Sequence, residues 1–85
     1  MDKLINDIFE IKKINLVHKN IKEIKGLKTL TKLEILQLSW NKITEIRGLG
    51  TLVNLQELDL NSNQITEIKG LETLANLQEL RLYKN

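Results

Sequence analysis

Few residues in this sequence could carry covalent chemistry. There is one histidine, His18, and no cysteine, which removes disulfides, thiolate metal sites and a thiolate nucleophile. His18 falls within reach of Ser39, with Asp59 one strand further on, and these are the residue types of a hydrolytic triad. A triad needs its members hydrogen-bonded in series beside an oxyanion hole and a pocket. Here they belong to different columns of an open surface, which argues against catalysis. Glu57, Asp59 and Glu79 are the carboxylates that could be read as cation ligands, but a shallow open sheet lacks the loop that wraps oxygens around calcium. No paired acid and base, phosphate-cradling glycine loop or metal-ligand cluster appears. The expectation is a non-enzyme without cofactor or metal, and the chemistry that remains is recognition.

What positions the recognising residues is a repeat. Residues 41–62, NKITEIRGLGTLVNLQELDLNS, and 63–84, NQITEIKGLETLANLQELRLYK, agree at 15 of 22 positions, and residues 19–40 agree with 41–62 at 10. The frame reaches further back, since Ile5, Ile8, Ile11, Ile14 and Leu16 stand one period before Leu27, Leu30, Leu33, Leu36 and Leu38. A fixed period of 20–29 residues marks a solenoid, in which each unit buries its apolar face against its neighbours. Leu36-Gln37-Leu38, Leu58-Asp59-Leu60 and Leu80-Arg81-Leu82 alternate with period two, so each is a short strand with leucines inward, and successive strands should pair in parallel. The spacing changes to three in Leu49-x-x-Leu52-x-x-Leu55, which predicts a tight helical turn of 3₁₀ type on the opposite side. Gly26, Gly48 and Gly70 permit the bend before it.

Asn41, Asn63 and Asn85 recur three residues after the second strand leucine. A side-chain amide has donors and an acceptor, and can satisfy the backbone groups left unpaired where the chain turns inward. The frame puts Lys19 where the first such asparagine should stand. An ammonium would be penalised there by burial, so the first coil is expected to be atypical.

These residues resemble the leucine-rich repeat superfamily, over about Ile5 to Asn85, in the unit Leu-x-x-Leu-x-Leu-x-x-Asn-x-Ile-x-x-Ile-x-Gly-Leu-x-x-Leu. The unit is similar to the 22-residue class typified by the regulatory leucine-rich repeat subunit of protein phosphatase 1, although no phosphatase contacts can be matched residue by residue. The resemblance implies an α/β fold: a right-handed solenoid with a short parallel sheet on its concave face, short helical turns on its convex face, and mostly non-catalytic, protein-binding relatives. Residues 1–85 are read as one domain, with three to four repeats from 13 to 85 and an N-terminal cap over 1–12. Within that cap, residues 3–11 suit a short amphipathic helix whose Phe9 could plug the first coil. The pattern leads to the expectation of no C-terminal cap after Asn85. On that expectation the last coil has an apolar edge that belongs to a longer array or pairs with another copy of the chain.

Charge and composition narrow the partner. The 85 residues carry 13 basic and 11 acidic side chains, net +2, with 8 of the basic ones among residues 1–32. Lysines alternate with glutamates and aliphatics, unlike the basic stripe and stacking aromatics of a nucleic-acid module. No stretch approaches the ~20 apolar residues of a membrane span. No nucleic acid, no membrane and a cytoplasmic location are the expectations. The partner surface is read from the outward columns as Val17, His18, Ile35, Gln37, Ser39, Trp40, Asp59, Asn61, Arg81 and Tyr83. Trp40, Tyr83, Ile35 and Val17 are unfavourable choices for solvated positions, and exposed aromatics on a polar face are the usual anchors of an interface. His18 and Trp40 should be neighbours in one column, close enough to stack.

Overall fold

The computed structural model describes residues 7–85. Four three-residue strands, β1 (Lys13–Asn15), β2 (Ile35–Gln37), β3 (Glu57–Asp59) and β4 (Glu79–Arg81), form one sheet in the order β1-β2-β3-β4. All neighbours are parallel, and the register is the sequence period: Ile14 lies beside Leu36, Leu36 beside Leu58 and Leu58 beside Leu80. The 22-residue offset found by self-comparison is therefore the rise of one coil.

Each periodic apolar column becomes a stripe of the core. Leu33, Leu36, Leu38, Ile43, Ile46, Leu49, Leu52, Leu55, Leu58 and Leu60 are fully buried, and Leu77, Leu80 and Leu82 pack against them from the last coil. The glycines behave as expected, with φ near +80° at Gly26, Gly48 and Gly70. At Gly70 the reason is twofold: a Cβ would also lie 2.5 Å from the carbonyl oxygen of Ile46 in the coil before. Close stacking of coils thus needs glycine here for space as well as for its left-handed backbone.

On the side opposite the sheet the expected short helices are replaced by successive single turns. Leu30 N–H donates to Leu27 O and Leu33 N–H to Leu30 O, and the same pair of bonds recurs at Leu49-Leu52-Leu55 and Leu71-Leu74-Leu77. Three-residue spacing does put the leucines on one side, as in a 3₁₀ helix. The carbonyls between them point along the stack instead, where side chains of the next coil reach them. Thr51 Oγ1 donates to Lys28 O at 2.7 Å, Thr73 Oγ1 to Gly50 O at 2.7 Å, Asn54 Nδ2 to Thr31 O at 2.8 Å and Asn76 Nδ2 to Val53 O at 2.9 Å. Coil-to-coil bonds take the acceptors that a continuous helix would use.

At the N-terminal end, residues 7–9 are helical, with Glu10 N–H donating to Asp7 O and Ile11 N–H to Ile8 O. The remainder of the expected cap, residues 1–6, lies outside the described residues. Phe9 does not plug the first coil, since it is 40% exposed. Glu10 anchors this turn to the second coil through Lys32 Nζ at 2.6 Å. That hydrogen bond, together with the ammonium charge, holds the Glu10 carboxyl below its ordinary range.

Candidate interaction face

The turn that follows each strand is built around the asparagine column. Asn63 Oδ1 accepts the Ile43 N–H at 3.0 Å, while its Nδ2 donates to Leu38 O, Leu60 O and Asn61 O. Asn41 and Asn85 repeat this, with Asn41 Oδ1 accepting both Lys19 N–H and Ile21 N–H. Among the described residues, no buried side-chain nitrogen or oxygen lacks a partner. Lys19 itself is exposed, and its coil alone passes through an additional left-handed residue, Asn20, at φ 59°. The first coil is atypical in the way its lysine demands.

One step before each ladder asparagine the backbone is also left-handed. His18, Trp40, Ser62 and Lys84 have φ of 59°, 58°, 56° and 58°. This corrects their placement as outward strand positions. The strands end at Asn15, Gln37, Asp59 and Arg81, and strand alternation would send the residue after Ser39 inward. The left-handed turn throws it outward onto the rim instead. Left-handed backbone is disfavoured by about 1–2 kcal/mol for residues other than glycine, with asparagine among the better tolerated. The repeat requires the conformation at four positions and the sequence fills one of them with tryptophan.

The structure divides the expected site into two neighbouring parts. Ile35, Gln37, Asp59 and Arg81, with Glu57 and Glu79, line a shallow depression of about 60 Å³ across the outer face of the sheet. That space holds a few waters, well below the 300–1,000 Å³ of typical small-molecule pockets. His18 and Trp40, with Asn20, Lys42, Ser62 and Gln64, line an open recess of about 530 Å³ on the rim. Val17, Ser39, Asn61 and Tyr83 lie just past the strand ends. Their exposure is uneven: Tyr83 is 72% exposed and Ser39 only 9%, so Ser39 offers a partner little surface. Val17 N–H is held by Asn15 Oδ1, and Tyr83 N–H by Asn61 Oδ1 at 2.7 Å.

The electrostatics of the sheet face centre on Arg81. Asp59 is its register neighbour, but its guanidinium bonds Glu79 Oε1 through Nη2 at 2.7 Å and Nε at 3.2 Å. The hydrogen bond to Glu79, that carboxylate's charge, and the fields of Asp59 and Glu57 raise the Arg81 pKa further above its ordinary value. Asp59 Oδ1 instead accepts the Asn61 N–H at 3.0 Å, which fixes the turn leaving β3. Among the described residues, the cation over an aromatic ring is Lys84, 5.7 Å from the Tyr83 centroid. No group of three or more His, Cys, Asp or Glu among them could hold a metal ion, and no helix among them is long and apolar enough to cross a membrane. Sequence reasoning left Glu57, Glu79, Asn20, Lys42, Ser62 and Gln64 out of the site. The 22-residue columns that carried Ile35 and Trp40 contain or adjoin all of them.

The family comparison agrees with this architecture. A family model described as "Leucine rich repeat" matches residues 9–65, and one described as "Leucine Rich repeats (2 copies)" matches residues 53–85. The chain belongs to the leucine-rich repeat family. Among solved structures, an internalin (inlF) from Listeria monocytogenes str. 4b F2365 is similar to it, with 38% identity and a TM-score of 0.86 over 93% of this chain. The match spans 23% of the internalin chain, so this leucine-rich repeat chain corresponds to a minor part of that protein's length. No curated protein matches. Leucine-rich repeat domains are typically non-catalytic protein-interaction modules.

Proposed function

We propose that this leucine-rich repeat chain is a non-catalytic module that binds a protein partner across the outer, concave face of its sheet and the adjoining rim. The observation that carries the reading is Trp40, which is 59% exposed on a backbone held left-handed. A large aromatic in that position is unfavourable twice, through apolar exposure and through its φ. Neither cost is demanded by the core, because Ser62 and Lys84 satisfy the same turn. Tyr83 supplies a second exposed ring beyond β4, and Ile35, Gln37, Asp59 and Arg81 form the floor across β2, β3 and β4. The 22-residue unit, similar to that of the protein phosphatase 1 regulatory subunit class, supports the same kind of use. The chain has no cysteine to oxidise, and we place it in the cytoplasm.

The test compares affinity capture by the folded wild-type chain with capture by Trp40→Ala/Tyr83→Ala and by Glu45→Ala/Lys69→Ala, the latter exposed and outside both the sheet depression and the rim recess. A partner retained by the wild type and by the Glu45/Lys69 variant but lost from the aromatic variant supports the face. A partner retained equally by all three refutes it.

A further inference from the structure

The rim turns carry an inference that rests on the proposed face and names the chemistry of what that face binds. Trp40 stands between coils on both sides: its N–H donates to Asn61 O of the coil after at 3.0 Å, and the adjacent Asn41 donates from Nδ2 to Leu16 O of the coil before at 2.9 Å. The exposure of its ring is therefore set by the left-handed turn within the stack, and not by either end of the chain. The backbone around it is already paired. His18 N–H donates to Ser39 O, Lys42 N–H to Ile21 O and Gln64 N–H to Ile43 O, so a partner lying in this recess meets side chains and not the groups that would add a strand.

The charges on those side chains are of one sign. The turn segments 18–20, 40–42 and 62–64 read His-Lys-Asn, Trp-Asn-Lys and Ser-Asn-Gln, with two lysines and no carboxylate. Lys19 and Lys42 are exposed, and none of the ion pairs among the described residues engages either. Elsewhere bases stand beside acids: Arg47 Nη1 lies 3.6 Å from Glu23 Oε1 and 4.0 Å from Glu45 Oε2, and Lys32 bonds Glu10. The adjoining sheet floor has the opposite sign, with Glu57, Asp59 and Glu79 against Arg81. The face is thus acidic on its floor and basic on its rim, and the exposed indole belongs to the basic part.

We infer that the rim recess takes an acidic segment of a protein partner, one that lays a large apolar side chain on Trp40 and directs neighbouring carboxylates to Lys42 and Lys19. The recess, at about 530 Å³, falls within the size range of ligand pockets but is open, which suits an extended segment better than an enclosed small molecule. Exposed Asn20 and Gln64 line it with amide groups able to pair with a peptide backbone. A nucleic-acid strand offers the same two features, a flat apolar group and an anion. It carries a charge on every nucleotide, however, and the acidic floor beside the recess repels the phosphates that follow. A polypeptide can set its acids on the rim and neutral or basic residues on the floor, so charge complementarity over the whole face selects protein.

The test titrates the isotope-labelled 85-residue chain with two blocked tripeptides, Glu-Phe-Glu and Lys-Phe-Lys, and with a short single-stranded uridine oligonucleotide. The chain has one tryptophan, so the Trp40 indole N–H is a unique NMR reporter in the recess. Glu-Phe-Glu should shift that signal and the amides of the turns at 18–20, 40–42 and 62–64, and should bind at least about fivefold more tightly than Lys-Phe-Lys. Lys42→Glu should abolish the preference and Lys19→Glu/Lys42→Glu should reverse it, while Lys69→Glu, exposed and outside the recess, should leave it unchanged. The amide spectrum confirms that each variant is folded. No shift with either peptide at millimolar concentration, equal affinity for both, a preference indifferent to Lys42→Glu, or tighter binding of the oligonucleotide overturns the inference. Capture of a partner that is lost with Trp40→Ala/Tyr83→Ala but kept with Lys19→Glu/Lys42→Glu leaves the face standing and removes the acidic segment from it.

Discussion

Replacing Asn63 by alanine tests the account of what holds the coils together. The side chain is 92% buried, with 8% exposed, and makes four bonds whose consequences differ. Its three acceptors each keep a second donor: Leu38 O from Asn41 Nδ2, Leu60 O from Asn85 Nδ2, and Asn61 O from the Trp40 N–H. The Ile43 N–H, in a fully buried residue, loses the acceptor that Asn63 Oδ1 provides. Stranding one buried donor costs about 1–3 kcal/mol, and losing three shared bonds together with some packing brings the expected total to about 2–4 kcal/mol. A domain of this size is stable by roughly 4–13 kcal/mol, so the variant should melt roughly 10–30 °C lower. Asn85→Ala removes the same set of contacts at an exposed position where water replaces them, and should cost about 0.5–1 kcal/mol. Asn63→Asp keeps the acceptor for Ile43 but turns a carboxylate toward three carbonyls, so it should be worse than alanine at neutral pH. Burial and repulsion raise its folded pKa above the unfolded value of ~3.9. The native state then retains a proton that the unfolded chain has lost, and stability should decline as pH rises from about 4 through the folded pKa. Urea unfolding followed by circular dichroism measures all three variants. An Asn63→Ala cost below about 0.5 kcal/mol, or equal to that of Asn85→Ala, would refute the ladder as the main satisfier of inner backbone groups.

Gly70→Ala adds a Cβ 2.5 Å from a backbone oxygen at φ +75°, whereas Gly26, at φ +81°, has nothing within 4 Å of the added atom. Gly26→Ala should therefore cost about 1–2 kcal/mol and Gly70→Ala clearly more, as read by denaturant midpoints. Trp40→Asn relieves the left-handed strain and should raise stability by up to about 1 kcal/mol while weakening partner capture, so a variant that loses both would contradict the functional reading of this side chain. The Glu10 carboxyl is held below its ordinary 4.5 by Lys32. The stabilisation from that contact is complete above 4.5 and lost as pH falls through the lowered folded value. Carboxyl NMR titration of Lys32→Gln should return Glu10 toward 4.5, and an unchanged titration would remove Lys32 as the cause.

The fold was legible because a coil repeats its burial pattern: identical demands on Leu36, Leu58 and Leu80 select identical residues, and the period alone gives the register of the sheet. The turn-side bonds from Thr51, Asn54, Thr73 and Asn76 were not read. Their partners are backbone carbonyls of the preceding coil, and nothing in side-chain hydropathy reports where a carbonyl points. Strand alternation likewise stops being a guide at Gln37 and Asp59. A positive φ at Trp40 or Ser62 leaves no trace when the residue is neither glycine nor asparagine. The outward columns therefore keep the register the period gives them, whereas His18 and Trp40 belong to a turn on the rim.

That separation also explains where information about a partner can reside. A core column tolerates little, so Leu58 says nothing that Leu36 does not. The column Asn15, Gln37, Asp59, Arg81 changes at every coil, because no coil needs any particular side chain there, and variation alone is what an idle surface would show. The informative residues are those that depart from what solvent or backbone would favour. Trp40 departs in both respects at once. Arg81 departs in context, because it is the sole base in a cluster with Glu57, Asp59 and Glu79, and its guanidinium bonds Glu79. Reversing Arg81 and Glu79 together should keep their ion pair while changing the charge pattern met by any partner on the face, as read by thermal stability and by capture. A double reversal that leaves stability unchanged and loses the partner would place the charges of β4 in the recognised surface, and one that keeps both would remove them from it.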